Sequence, residues 1–182
     1  MTKLRGAPRV NRCVRAFCRG KLLTTATKVV PDTLKSVQVP DPSLFQELSE
    51  DKKALWAKYG SGPNPLFIKL VGINIAEIRV DYCKLSLPFR PELLQAGGAV
   101  HGGVLSTLMD TACVPAVGSG FDAARPYSTI GMHVQFLSGA SAGDLEAFGW
   151  VTKRGKSIVF CEAAVQTMQG KTLATASLTF KI

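Results

Sequence analysis

The chain has little from which metal, redox or phosphate chemistry could be assembled. His101 and His133 are its only imidazoles, so a metal site would have to rest on scattered carboxylates, and none is expected. The five cysteines, Cys13, Cys18, Cys83, Cys113 and Cys161, are odd in number and include no C-x-x-C pair. A disulfide framework and a zinc spacing are therefore both excluded, and Cys113 and Cys161, set in apolar runs, read as small core hydrophobes. There is no G-x-x-x-x-G-K phosphate loop and no G-x-S-x-G nucleophile elbow, and the glycines at 97, 98, 102 and 103 do not spell G-x-G-x-x-G. The charge-free runs at 93–109 and 127–143 are broken by Gly, Gln, His and Ser. Neither amounts to the roughly 20 apolar residues of a bilayer-spanning helix, so no transmembrane segment is expected.

Acidic residues are missing from one place in particular. Residues 1–31 hold Lys3, Arg5, Arg9, Arg12, Arg15, Arg19, Lys21 and Lys28 and no acid, which accounts for +8 of the net charge of +9. The remaining body is nearly neutral. A fold that tracks phosphates carries its positive charge on the folded surface, so no nucleic-acid binding is expected of the domain. The arm is Arg-rich, acid-free and Thr-bearing, and has no continuous apolar core of a secretory signal. It reads as a mitochondrial presequence if the source is eukaryotic, or otherwise as a disordered basic arm of a cytoplasmic protein.

What is present suits one domain with some length to spare: 182 residues, of which 46% are apolar and 19% charged. Residues 32–65 read as a linker followed by an accessory helix. Asp41 can cap it, Pro42 suits its first position, Leu44, Leu48, Leu55 and Tyr59 recur at helical spacing, and Gly60 closes it. The main domain spans 66–182. Ile73, Ile75, Ile78 and Val80 mark a first strand, 83–88 a second, and 90–100 a glycine-rich loop. The stretch from His101 to Gly120 carries Val104, Leu105, Leu108, Met109, Ala112 and Ala116, a helical pattern apolar over much of its circumference. Four strands follow. Ile130, Met132, Val134 and Phe136 alternate with polar residues in the first of them, and Ala174, Ala176, Leu178, Phe180 and Ile182 in the last. Strands joined by short turns are antiparallel, so the order predicts an α+β fold with a sheet of about six strands curled round one helix.

Three features could carry chemistry: Gln95, the His101-Gly102-Gly103 helix start, and Asp110 within the apolar helix. Two glycines at a helix N-terminus let a substrate approach free N–H groups where the helix dipole favours negative charge. Asp110, on a helix with little polar face, should be desolvated unless it is paired. It can equally be a satisfied buried carboxylate bonded to a hydroxyl, and His101 can simply cap the helix. Gly102 and Asp110 are eight residues apart, about 12 Å along one helix. If both act on one bond, the Asp must come from an antiparallel helix of a second subunit, and the protein is then a dimer with two shared sites.

Gln95, the run from His101 to Asp110, and Thr129-Ile130-Gly131-Met132-His133-Val134-Gln135-Phe136-Leu137 resemble the hotdog-fold acyl-CoA thioesterases of the PaaI and thioesterase-superfamily-member type. The resemblance implies a homodimer or dimer of dimers that hydrolyses acyl-CoA with neither metal nor cofactor, CoA entering only as part of the substrate. It makes Asp110 the nucleophile or general base and the Gly102 amide the group that polarises the thioester carbonyl. Gln95, His101 and Gly103 would surround that group. A hydroxyl residue near the attacking water would be Thr129 by strand register, or Ser128 by a count without a loop insertion. Lys153, Arg154 and Lys156 resemble the family's basic turn for the nucleotide phosphates, or are a solvated hairpin. Pro115 departs from a regular helix and should kink it or end it early. Two other readings remain: a hotdog hydratase, and a noncatalytic hotdog that binds acyl-CoA or a partner.

Overall fold

The first strand already shows how sequence pattern becomes sheet geometry. Its isoleucines change phase between Ile75 and Ile78, and β1 (Asn74–Arg79) pairs with β2 (Tyr82–Leu87) through a register shift between Ile75 and Glu77. One inserted residue is a bulge, and a bulge resets which residues face the core. The computed structural model describes residues 37–59 and 66–182. The arm at 1–31, the start of the linker and the turn at 60–65 lie outside the described residues.

Six antiparallel strands form one sheet in the order β1-β2-β4-β5-β6-β3, with β3 at Ser128–Phe136, β4 at Leu145–Arg154, β5 at Ile158–Thr167 and β6 at Thr172–Lys181. Helix α3 (Gly102–Ser119) packs against all six strands, most closely against β4, β2 and β5. This is the expected arrangement of a sheet round one apolar helix. Leu105, Leu108, Met109, Ala112, Cys113, Ala116 and Val117 of α3 are buried against Leu85, Leu87, Ala147, Val165 and Phe180 of the strands. Each fully buried large side chain there contributes about 1.5–3 kcal/mol. The closest approach is at Gly149 of β4, where a Cβ would lie 2.6 Å from the Ala112 carbonyl carbon. No larger residue fits without moving the helix off the sheet.

Pro115 neither ends the helix nor shortens it: α3 continues to Ser119 with Pro115 buried inside it. The expectation of an early end overlooked the packing on this segment, which outweighs one lost backbone hydrogen bond. The accessory helix also differs from expectation. Asp41 accepts from the Ser43 N–H at 2.9 Å, but it caps only a 3-10 turn, Pro42–Leu44. The chain is extended at Phe45, and helix α1 starts afresh at Glu50 and runs to Ala57. Tertiary contacts break the continuous pattern: Phe45 stacks on Tyr82 at 5.0 Å, the Gln46 carbonyl accepts from the Val80 N–H at 2.9 Å, and Leu48 is buried. Val37, Val39 and Phe45 thereby cover Tyr82, Phe148, Trp150 and Ala164, a second apolar cluster. A short helix α2 (Phe67–Val71) precedes β1 and closes on Gly72, whose φ of 83° is the left-handed value glycine adopts without strain.

Strand β3 lies at the sheet edge with β6 as its only strand neighbour among the described residues, and its register shifts between Thr129 and Gly131. Met132 and Val134 pack on the core as expected. Ile130 and Phe136 do not; they are 58% and 57% exposed. The bulge separates Ile130 from the inward alternation and lets Thr129 and Met132 both face the helix.

Candidate active site

One residue dictates the start of α3. His101 is its N-cap: the Nδ1 atom accepts from the Gly103 N–H at 2.9 Å, and its carbonyl accepts from Val104 and Leu105 at 2.9 and 3.3 Å. A helix opens with four N–H groups that lack intrahelical partners. Of these, the His101 N–H donates to the Leu93 carbonyl at 2.8 Å and His101 accepts from Gly103 and Val104, while the Gly102 N–H has no acceptor among the described residues. A side chain at either glycine would crowd a neighbour. A Cβ on Gly103 would lie 2.9 Å from the His101 Nδ1 and displace the cap, and one on Gly102 would lie 3.1 Å from the Phe136 ring. Phe136 thus stands beside the free amide, which its exposure on an edge strand makes possible.

Half-buried residues of α3 recur at Gly102, Ser106, Asp110, Val114 and Gly118, a four-residue spacing whose stripe winds about 40° round the helix at each step; Val114 within it packs on the core. Asp110 lies at the centre of the stripe. It is not the fully desolvated carboxylate its apolar helix suggested: it is half-buried and its Oδ1 accepts the Thr129 hydroxyl at 2.7 Å. The bulge in β3 makes this contact possible. Ser128, one residue earlier, is exposed and paired with Lys181, so the structure brings Thr129 and not Ser128 to the carboxylate.

Gln95 lies in the exposed loop before α3, where its Oε1 accepts from the Gly97 N–H at 2.6 Å and its backbone N–H donates to the Ala99 carbonyl at 2.8 Å. The basic turn divides. Lys153 and Lys156 are exposed, whereas Arg154 folds inward. Its guanidinium pairs with Asp81, donates to the Val117 carbonyl at 2.9 Å and stands 5.1 Å over the Phe121 ring. A cation at the C-terminal carbonyls of a helix opposes the macrodipole. Arg154 therefore fastens the end of α3 to the β1–β2 turn.

The cysteines supply no nucleophile among the described residues. Cys83, Cys113 and Cys161 are free and buried, and burial pushes the Cys83 and Cys113 thiols up, away from the reactive thiolate. No group of three His, Cys, Asp or Glu side chains among the described residues is placed to hold a metal ion, and no helix among them is long and apolar enough to cross a membrane. Sequence reasoning passed over two features: the Phe136 ring against Gly102, and a set of aromatic side chains, Trp56, Tyr59, Phe121 and Tyr127, gathered at the far end of the Asp110 stripe. The position of Tyr127, two residues before Thr129, was the one local signal for the latter.

Residues 97–174 match the family model of the thioesterase superfamily. A candidate esterase of Halobacterium salinarum is 31% identical over 105 residues, which cover 55% of this chain and 69% of that protein. A candidate esterase of Pseudomonas aeruginosa is 33% identical over 87 residues, 47% of this chain and 64% of its own. Among solved structures, the Escherichia coli PaaI protein of the phenylacetic acid degradation operon superposes with a TM-score of 0.65 at 24% identity, over 73% of this chain and 95% of that one. That likeness is one of fold.

Proposed function

We propose that this chain, which belongs to the thioesterase superfamily and has the PaaI-like hotdog fold, hydrolyses an acyl-CoA to a free carboxylic acid and the CoA thiol. The observation that carries the proposal is the single N–H left over at the start of α3, on the same helical stripe as a carboxylate engaged by a strand hydroxyl. An unpartnered amide at a helix N-terminus is a hydrogen-bond donor prepared for a developing oxyanion.

In this reading the Gly102 N–H receives the thioester oxygen, and Gln95 and His101 shape the loop and helix start around it. Asp110 drives the attack. As base it takes a proton from water as the water oxygen bonds to the carbonyl carbon; the C–S bond then breaks and the proton passes to the departing sulfur. As nucleophile it displaces the thiolate to form an anhydride, which water opens. Thr129 positions the carboxylate in either case. Since Gly102 and Asp110 stand about 12 Å apart on their own helix, each site takes Gly102 from one subunit and Asp110 from another, in a homodimer or dimer of dimers. Thiol release measured on the full chain with acetyl-, octanoyl-, palmitoyl- and phenylacetyl-CoA tests the activity. No release from any of them overturns it.

Lys153 and Lys156, the outward cations of the turn, are assigned to the nucleotide phosphates, while Arg154 serves the fold. Replacing both lysines by Ala should raise KM several-fold with little change in kcat, because contacts remote from the reacting bond act on ground and transition states alike. Arg154→Ala should instead lower Tm, by freeing Asp81 and the end of α3. An unchanged KM in the double lysine variant would return the turn to solvent. The basic arm at 1–31 is assigned to mitochondrial import in a eukaryotic source, and a reporter fused behind the full chain that stays in the cytosol would refute it.

A further inference from the structure

We infer that helix α1 roofs a pocket for the far end of the acyl chain, along α3 from Asp110, and that Trp56 sets the chain length the pocket accepts. The inference rests on the thioesterase reading and names the substrate's acyl portion. A cavity of about 390 Å³ has Leu55, Trp56, Tyr59, Gly118, Phe121 and Tyr127 in its wall, within the 300–1,000 Å³ common for small-molecule sites. Its wall meets α3 at Gly118, eight residues and about 12 Å beyond Asp110. The Tyr127 hydroxyl donates to the Val114 carbonyl at 2.9 Å, one turn or about 6 Å beyond Asp110, and Tyr127 lies two residues before Thr129, whose hydroxyl holds that carboxylate. At the next turn Gly118 leaves the space that the Tyr127 hydroxyl and the Trp56 indole fill together, since a Cβ there would meet the hydroxyl first and lie 2.7 Å from the indole ring. A chain attached to a carbonyl at Asp110 that runs along the helix past Tyr127 meets this aromatic wall after about 12 Å.

Leu55, Trp56, Tyr59, Phe121 and Tyr127 give the wall its apolar surface. Its charged residues are Lys52, Lys58, Asp122 and Arg125. Lys52 at the rim donates to the Ser119 carbonyl at 3.1 Å and pairs with Asp122 at 3.7 Å, and Arg125 stands 5.1 Å over the Phe121 ring. Burial raises the Tyr59 hydroxyl, with Cys83 and Asp110 adding to the effect, and pushes Tyr127 up to about 12, so both phenols stay neutral. A larger cavity, about 540 Å³, shares Trp56 and Tyr59 but is walled by α2 and β1 and has no α3 residue in its wall. Trp56 and Tyr59, edge to face at 5.3 Å, border both spaces. Removing the indole joins them.

The test is kcat/KM for acetyl-, octanoyl- and palmitoyl-CoA in the full-length protein and in Trp56→Ala. The palmitoyl-to-octanoyl ratio should rise about 10-fold, the scale on which an apolar pocket discriminates chain length. A folded variant whose ratios stay within twofold of the parent, or in which all three constants fall by one factor, overturns the inference. Trp56→Phe serves if the Ala variant does not fold, and should shift the ratio in the same direction. A binding measurement separates this inference from the activity itself. In Asp110→Asn, octanoyl-CoA should change the tryptophan fluorescence where acetyl-CoA does not, and the change should vanish when Trp56→Phe is added. Equal responses to both ligands refute the pocket, whereas absent thiol release with an intact octanoyl response refutes only the hydrolase.

Discussion

Asp110→Asn should lower thioester turnover at least about 100-fold, the lower end of what a positioned general base contributes, while the fold persists. Asparagine keeps the volume and an oxygen that can still accept the Thr129 hydroxyl, now held at 2.7 Å, so the contact between α3 and β3 survives. What is lost is the negative charge. An amide neither takes a proton from water nor attacks a thioester, so both forms of the proposed chemistry fail together. Stability should hold or rise slightly, because a half-buried charge has gone. Thiol release under saturating substrate and the Tm of the same preparation check the two halves. Near-parental turnover would leave Asp110 a structural partner of Thr129. A collapse of Tm would show that the charge, and not only the hydrogen bond, holds the strand. If activity falls as expected, incorporation of ¹⁸O from solvent into the parent Asp110 side chain during turnover distinguishes a nucleophile from a base.

Local pattern made much of this molecule legible and tertiary contact hid the rest. Strand order, the antiparallel sheet and the central helix follow from alternation, turn residues and one apolar 3.6-residue period, signals that lie within a few residues of one another. The phase change between Ile75 and Ile78 is readable as a bulge; the one at Ile130 is not, because Ile130 and Met132 keep a regular alternation in sequence while the ladder shifts beneath them. That hidden bulge brings Thr129 to Asp110. Pro115 does not end the helix early, because propensity speaks for an isolated helix, whereas this one is held on its core face by the whole sheet. In the site, His101, Gly102 and Asp110 were legible through their spacing on one helix. Arg154 was grouped with Lys153 and Lys156 by adjacency, yet its partners Asp81 and Val117 are 73 and 37 residues away. The pocket aromatics come from the accessory segment, the end of α3 and the start of β3, and no local motif joins them.

Mixing two inactive proteins should restore activity, and this is the sharpest consequence of the separation between Gly102 and Asp110. Asp110→Asn subunits retain the Gln95 loop and the Gly102 amide but lack the attacking carboxylate. Gln95→Ala subunits retain Asp110 and Thr129 but lose the side chain that accepts from the Gly97 N–H at 2.6 Å and holds the loop before the helix. Each homodimer carries the same defect in both of its sites. In a heterodimer the sites differ: one collects both defects, and the other pairs an intact Gln95–Gly102 end with an intact Asp110–Thr129 pair. Random exchange at equal concentrations makes half of the dimers mixed, each with one sound site, so the mixture should reach about one quarter of the parent's activity per subunit. The rise should follow the rate of subunit exchange, measured by mass or by energy transfer between labelled chains. Exchange without recovery would place Gln95, Gly102 and Asp110 in one site of one chain. The roughly 12 Å between Gly102 and Asp110 would then have to be spanned by the substrate itself, and the two-fold arrangement would be wrong.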